Sequence, residues 1–178
     1  VAKLTYIKGD LFQHIADSPD KKFMICHVAN CHGRMGSGFV IPLCNLYPNV
    51  RPEYERWIEE HNSAHFHPGE GAGLGETQFI QASDNVIVAN MVAQTLGGKR
   101  PLYYNHLASC MDQVAYELDV ETEYEIIAPM FGSALAGGDW NFIETLIEDC
   151  WLRRGIDVTV FYLETNIPDS PLFHAQNA

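Results

Sequence analysis

Lys22-Phe23-Met24-Ile25-Cys26-His27-Val28-Ala29-Asn30-Cys31-His32-Gly33-Arg34-Met35-Gly36-Ser37-Gly38 is the stretch from which the fold can be read. From Phe23 to Ala29 it is a near-continuous apolar run, the pattern of a strand covered on both faces in the middle of a sheet. The run stops at Asn30 and gives way to glycines. Beyond them, Phe39-Val40-Ile41-Pro42-Leu43-Cys44-Asn45-Leu46-Tyr47 suits a helix that begins inside the loop, with its proline early. A glycine loop between a buried strand and a helix can bring successive backbone N–H groups close to an anion. A tight turn with no ligand is the plainer reading of the same residues. No G-K-[ST] follows, which excludes a Walker A loop, and the G-x-G-x-x-G dinucleotide spacing is missing.

Working outward, Leu4-Thr5-Tyr6-Ile7-Lys8 reads as a strand that stops at Gly9-Asp10. A helix is expected over residues 51–60 and an exposed loop, rich in Gly and His, over 62–75. Residues 77–81 and 86–91 are short strands around the turn-forming Ala82-Ser83-Asp84-Asn85, so they should pair antiparallel. Helical spacing over 102–118, a strand over 125–129, an amphipathic helix over 140–153 and a strand over 158–163 complete the pattern. Alternating strands and helices with one antiparallel pair imply an α/β fold, a three-layer α/β/α sandwich with a mixed central sheet. Its ligand loops should lie at the carboxyl ends of the strands. The domain is expected to occupy residues 1–165, with 166–178 a loosely ordered tail.

A chain of 178 residues, 47% of them hydrophobic, is enough for one domain with a substantial core. Its formal charge of -12, from 23 acidic against 11 basic residues, repels polyanions and argues against general nucleic-acid binding. An anionic ligand must therefore be met locally by backbone amides. No apolar run approaches the roughly 20 residues of a membrane span, and the first residues lack the basic-then-apolar pattern of a signal peptide. The five cysteines contain no C-x-x-C pair, and several lie in apolar segments. A soluble, cytoplasmic, monomeric protein with reduced thiols and no membrane association is the expectation.

A second loop, Pro129-Met130-Phe131-Gly132-Ser133-Ala134-Leu135-Ala136-Gly137-Gly138-Asp139-Trp140, has the same placement between strand and helix. Two such loops at one sheet edge would hold a pyrophosphate with few basic side chains. Gly9-Asp10-Leu11, then His27-Val28-Ala29-Asn30-Cys31-x-Gly-x-Met-Gly-Ser-Gly, then Gly132-Ser133-x-Leu-Ala-Gly-Gly-Asp-Trp resemble, in order, the ligand loops of macro domains. The resemblance runs over most of the chain. It is strongest to the branch containing ADP-ribose-1″-phosphate phosphatases and the terminal ADP-ribose protein glycohydrolase.

That resemblance implies ADP-ribose binding and hydrolysis of an ADP-ribose derivative at the distal ribose, with no cofactor and no metal. The substrate would be ADP-ribose-1″-phosphate or an ADP-ribosylated protein or nucleic acid. A non-catalytic ADP-ribose reader is the alternative. By the same resemblance, Asp10 and Leu11 would contact adenine. Asn30, Gly33, Met35, Gly36, Ser37 and Gly38 would hold phosphate and the distal ribose. Phe131, Gly132, Ser133, Ala134, Leu135 and Ala136 would form the second phosphate loop, with the Phe131 ring also covering the ribose. His27, Asn30, His32 and Asp139 are the candidates for chemistry, against plainer roles for His27 as a core histidine, for Asp10 as an Asx turn or helix cap and for Asp139 as a helix cap.

Two departures stand out. The glycohydrolase lysine has no counterpart in Asn90-Met91-Val92-Ala93-Gln94, and its catalytic aspartate falls near Ala136, with Asp139 the nearest carboxylate. Neither Cys26, His27, Cys31 and His32 nor His61, His65 and His67 has a zinc spacing, and Cys26 and His27 should face opposite ways on a strand.

Overall fold

The computed structural model describes residues 1–64 and 71–178. Its strands are β1 (Leu4–Lys8), β2 (Lys22–Asn30), β3 (Thr77–Ser83), β4 (Val86–Gln94), β5 (Tyr124–Pro129) and β6 (Val158–Tyr162). The helices are α1 (Leu11–Ala16), α2 (Val40–Leu46), α3 (Val50–Ala64), α4 (Tyr104–Val120), α5 (Trp140–Cys150) and α6 (Pro171–Gln176). The strands form one sheet in the order β1-β6-β5-β2-β4-β3. All neighbours run parallel except β3, which pairs antiparallel with β4. The antiparallel pair comes from the tight turn between β3 and β4, while every parallel pair needs a crossover. The sheet is mixed, as its sequence pattern implies.

Alternation along β2 builds two cores. Met24 and Cys26 face a layer containing Leu107, Met111, Ile143 and Ile147 of α4 and α5. Phe23, Ile25 and Ala29 face Leu11, Leu43, Tyr54 and Ile58 of α1, α2 and α3. Covered on both sides, β2 needs the unbroken apolar run read from its sequence. Cys26 and His27 do lie on opposite faces of the sheet.

Two helices depart from expectation. Helix α1 had no expected range, although a cap was one reading of Asp10; Asp10 starts it, its side chain accepting a hydrogen bond from the Phe12 N–H. Helix α3 runs on to Ala64, into the stretch read as loop. His65 and His67 lie outside the described residues.

The tail expected to be loosely ordered is instead built into the fold. Phe173 of α6 is buried and packs edge-on against Tyr6, with ring centroids 5.4 Å apart. Gln176 brackets Tyr6, accepting from its N–H at 2.7 Å and donating to its carbonyl at 2.9 Å. The cause is the edge position of β1, whose outer backbone groups are free to be met by a side chain from the tail.

Candidate functional site

The strands β5, β2 and β4 are adjacent and parallel, so the loops that leave their carboxyl ends rise side by side. Between them is a cleft of about 250 Å³. Its base is Val28, Ala29 and Asn30, at the end of β2. One wall is the first glycine loop, through Arg34, Met35, Gly36 and Ser37. The opposite side brings Leu135 from the second loop, and Gln94 at the end of β4 closes the cleft with Leu96, Gly97 and Pro101 beyond it.

Asn30 organises the first loop. Its side-chain oxygen accepts from the backbone N–H of His32 at 3.0 Å and of Arg34 at 3.2 Å, and its amide donates to the Arg34 carbonyl at 2.6 Å. The buried Tyr54 hydroxyl from α3 also reaches Asn30, at its backbone carbonyl and at its side-chain oxygen. These bonds occupy the acceptor and one amide hydrogen, leaving the second hydrogen for a ligand. The loop then runs on with N–H groups at residues 35–39 that meet no acceptor among the described residues. The N–H groups of residues 132–136 in the second loop are likewise unmet. Two rows of unpaired donors flank one cleft, an arrangement suited to an anion.

The second loop is braced from below. Phe131 is 3% exposed and packs edge-on between Trp140 and Trp151, at centroid distances of 5.7 and 5.9 Å. Its ring therefore belongs to the core and does not cover a ribose; only its backbone is left for a ligand. Ser133 fastens the loop by donating to the Met130 carbonyl at 2.7 Å. Gly137 has φ 74° and lies against the backbone of Lys99 and Arg100, which joins this loop to the one after β4.

The four residues considered for chemistry are not gathered. Asn30 alone lines the cleft. His27 is 2% exposed on β2 beneath it, and its Nε2 meets the Oδ1 of Asn90. Asn90 donates to Gln78 at 3.1 Å, and Gln78 donates to the Glu53 carbonyl at 3.1 Å. A carbonyl can only accept, so the direction of the relay is fixed and His27 must carry its proton on Nε2. Asp139 caps α5, accepting from the Asn141 N–H at 2.9 Å, and stands off the cleft. His32 is exposed beside the cleft without lining it. Asp10 stands at the end of β1 along the same sheet edge, with Leu11 buried behind it. The cap engages one carboxyl oxygen of Asp10; the other meets no donor among the described residues.

The wall after β4 escapes a reading centred on two glycine loops. Gly97-Gly98, shortly after a buried strand, is the signal that could have disclosed it. Lys99 presents its backbone to Gly137, and its side chain does not line the cleft.

Burial pushes the His27 imidazole from its ordinary 6.5 down to about 4. The unfolded chain thus takes up a proton that the folded protein refuses. This contribution to stability is whole above pH 6.5 and is lost as pH falls from there toward 4. At about 1.4 kcal/mol per unit, it amounts to roughly 3 kcal/mol. His27→Gln, which keeps an N–H for Asn90, should flatten the fall in urea midpoint between pH 7 and 4 relative to the unaltered protein. Parallel profiles would exclude His27 as the source.

No family model matches the chain. It is similar to the ADP-ribose 1″-phosphate phosphatase of Candida albicans, 33% identical over 155 residues that span 82% of this chain and 92% of that protein. A protein of the same name from Debaryomyces hansenii is 26% identical over 130 residues, 67% of this chain and 70% of that one. Among solved structures, a macrodomain protein from Streptomyces coelicolor superposes with a TM-score of 0.71 at 34% identity, covering 90% of this chain and 99% of that one.

Proposed function

Because this chain belongs to the macro domain family, we propose that it binds ADP-ribose in the cleft above β2 and hydrolyses ADP-ribose 1″-phosphate to ADP-ribose and phosphate. The observation that carries the reading is the pair of unpaired amide rows, residues 35–39 and 132–136, on either side of that cleft. They offer a pyrophosphate many hydrogen bonds in a protein whose net charge of -12 offers no general attraction. The names of the relatives from Candida albicans and Debaryomyces hansenii support phosphate as the leaving group.

The sheet edge supplies the length. Asp10 leaves β1, three strand spacings from β2, or about 14 Å. An extended ADP-ribose would place its adenine amino group at the free oxygen of Asp10, its pyrophosphate between the amide rows and its distal ribose against Asn30. In this reading Gly33 to Gly38 and residues 131–136 contact the ligand through their backbones.

Calorimetry and turnover test this together. ADP-ribose should bind about one to one and AMP at least tenfold more weakly, because AMP cannot reach both amide rows. Incubation with ADP-ribose 1″-phosphate should release phosphate; equal affinities for the two nucleotides would remove the whole reading. One observation favours a second reading, that of a non-catalytic ADP-ribose reader: among the described residues, Arg34 is the only ionisable one lining the cleft. Binding without release of phosphate, and without release of ADP-ribose from a modified protein, would decide for it.

A further inference from the structure

The cleft poses a chemical question, because hydrolysis needs an oriented water and the usual general bases lie elsewhere. His27 is committed to Asn90, Asp139 caps α5, and His32 does not line the cleft. The polar side chains that do line it are those of Asn30, Arg34, Ser37 and Gln94. Asn30 has its oxygen filled by the loop's own N–H groups.

Gln94 is different. Up to Ala29 the residues of β2 pair one for one with β4, but Ala29 faces Val92 and Asn30 faces Gln94. Ala93 is therefore an extra residue, a bulge that re-aims the last side chain of β4. The bulge sets Gln94 opposite Asn30 at the end of neighbouring parallel strands, and both residues line the cleft. Its backbone is held from two directions: the carbonyl accepts from the Cys31 N–H at 2.9 Å, and the residue bridges to Leu102. The side chain is almost free: among the described residues its amide reaches only the Thr95 carbonyl, at 3.3 Å, and its oxygen meets no donor. A rigidly mounted residue with an unused acceptor in a ligand cleft can hold a water without holding the ligand.

We propose that Gln94 positions the water that attacks the 1″-phosphate. The inference rests on the phosphatase reading above. The Gln94 oxygen accepts one hydrogen of the water, whose oxygen attacks phosphorus. The new P–O bond forms as the bond from phosphorus to O1″ breaks. The hydroxyl stays on phosphorus and the remaining proton passes through a phosphate oxygen to O1″, so ADP-ribose and hydrogen phosphate leave with no charge left on the protein. Because a carboxamide does not titrate, the chemical step has no protein base whose loss of a proton would set its rate.

The test compares the unaltered protein with Gln94→Ala and Gln94→Glu, following phosphate release from ADP-ribose 1″-phosphate and ADP-ribose affinity by calorimetry. The unaltered kcat should be level between about pH 7 and 9. Gln94→Ala should lower kcat about a hundredfold while the ADP-ribose Kd moves by less than about threefold. Gln94→Glu, of nearly equal shape, keeps an acceptor oxygen and should regain part of the rate. A kcat for Gln94→Ala within about threefold of the unaltered protein overturns the proposal. So does a Kd that rises as far as kcat falls, which would make Gln94 a ligand contact, or an unaltered kcat that titrates within that pH range. Binding of ADP-ribose with no phosphate released by the unaltered protein overturns the phosphatase reading itself, and this inference with it.

Discussion

Gly137→Ala is expected to weaken ADP-ribose binding about a hundredfold, a loss of roughly 2.7 kcal/mol. Two costs coincide at this residue. Its φ of 74° is in the left-handed region, where a side chain costs about 1–2 kcal/mol. A methyl there would also overlap the Lys99 carbonyl oxygen and press on the Arg100 Cα. These are backbone atoms, so relief requires one loop to move away from the other. Both loops contribute to the cleft, Leu135 on one side and Leu96, Gly97 and Pro101 on the other. Gly155 provides the control, because its φ of 80° is similar but open space surrounds it. Gly155→Ala should lower stability by about 1 kcal/mol and leave ligand affinity alone. Calorimetry on both variants, with thermal unfolding alongside, makes the comparison; equal affinities would show that the contact of the two loops does not shape the site.

The largest loss of stability is expected at Glu144, which is 1% exposed on α5. Its carboxyl accepts from the Tyr6 hydroxyl and the Ser170 hydroxyl, each at 2.5 Å, and from the Leu172 N–H at 2.9 Å. Trp140 completes the cluster by donating its indole N–H to the Tyr6 oxygen at 2.8 Å. Glu144→Ala would leave these donors buried and unpaired and open a cavity between them. With about 1–3 kcal/mol for each stranded group and incomplete additivity, a loss of about 4 kcal/mol is expected. For a chain of this length that corresponds to a fall of roughly 10 °C in Tm. Glu144→Gln retains an acceptor and should lose about half as much. Urea unfolding measures both, and a change below about 1 kcal/mol for the alanine variant would show that the cluster contributes little.

The same cluster explains why the tail could not be read from its sequence. Residues 166–178 have few large apolar side chains and no extended period, so local pattern points to disorder. What orders them is tertiary: Glu144 and Tyr6 lie far away in the chain and close in space. Helix α1 was hidden for a simpler reason. It has six residues with only Leu11 and Ile15 buried, too short a stretch to display a period. β2 was legible because burial on both faces demands an unbroken apolar run.

At the site, the glycine loops announced themselves by their place between strand and helix. The Asp139 cap was legible beside its catalytic alternative. The partner of His27 was not, because Asn90 is 63 residues away on a neighbouring strand. Gln94 depends on a bulge, and a bulge appears only when two strands are set in register.

The sheet order also governs the timing of assembly. β1 pairs only with β6, Leu4 standing beside Val158, 154 residues later in the chain. At a synthesis rate of about 5–20 residues per second, β1 waits roughly 10–30 s on the ribosome before its partner exists. Throughout that interval the apolar side of Leu4 and Tyr6, buried in the finished protein, stays uncovered. The pairing also contributes a high contact order, which slows folding in free solution. Late pairing of β1 thus leaves an apolar edge uncovered while most of the chain is being made.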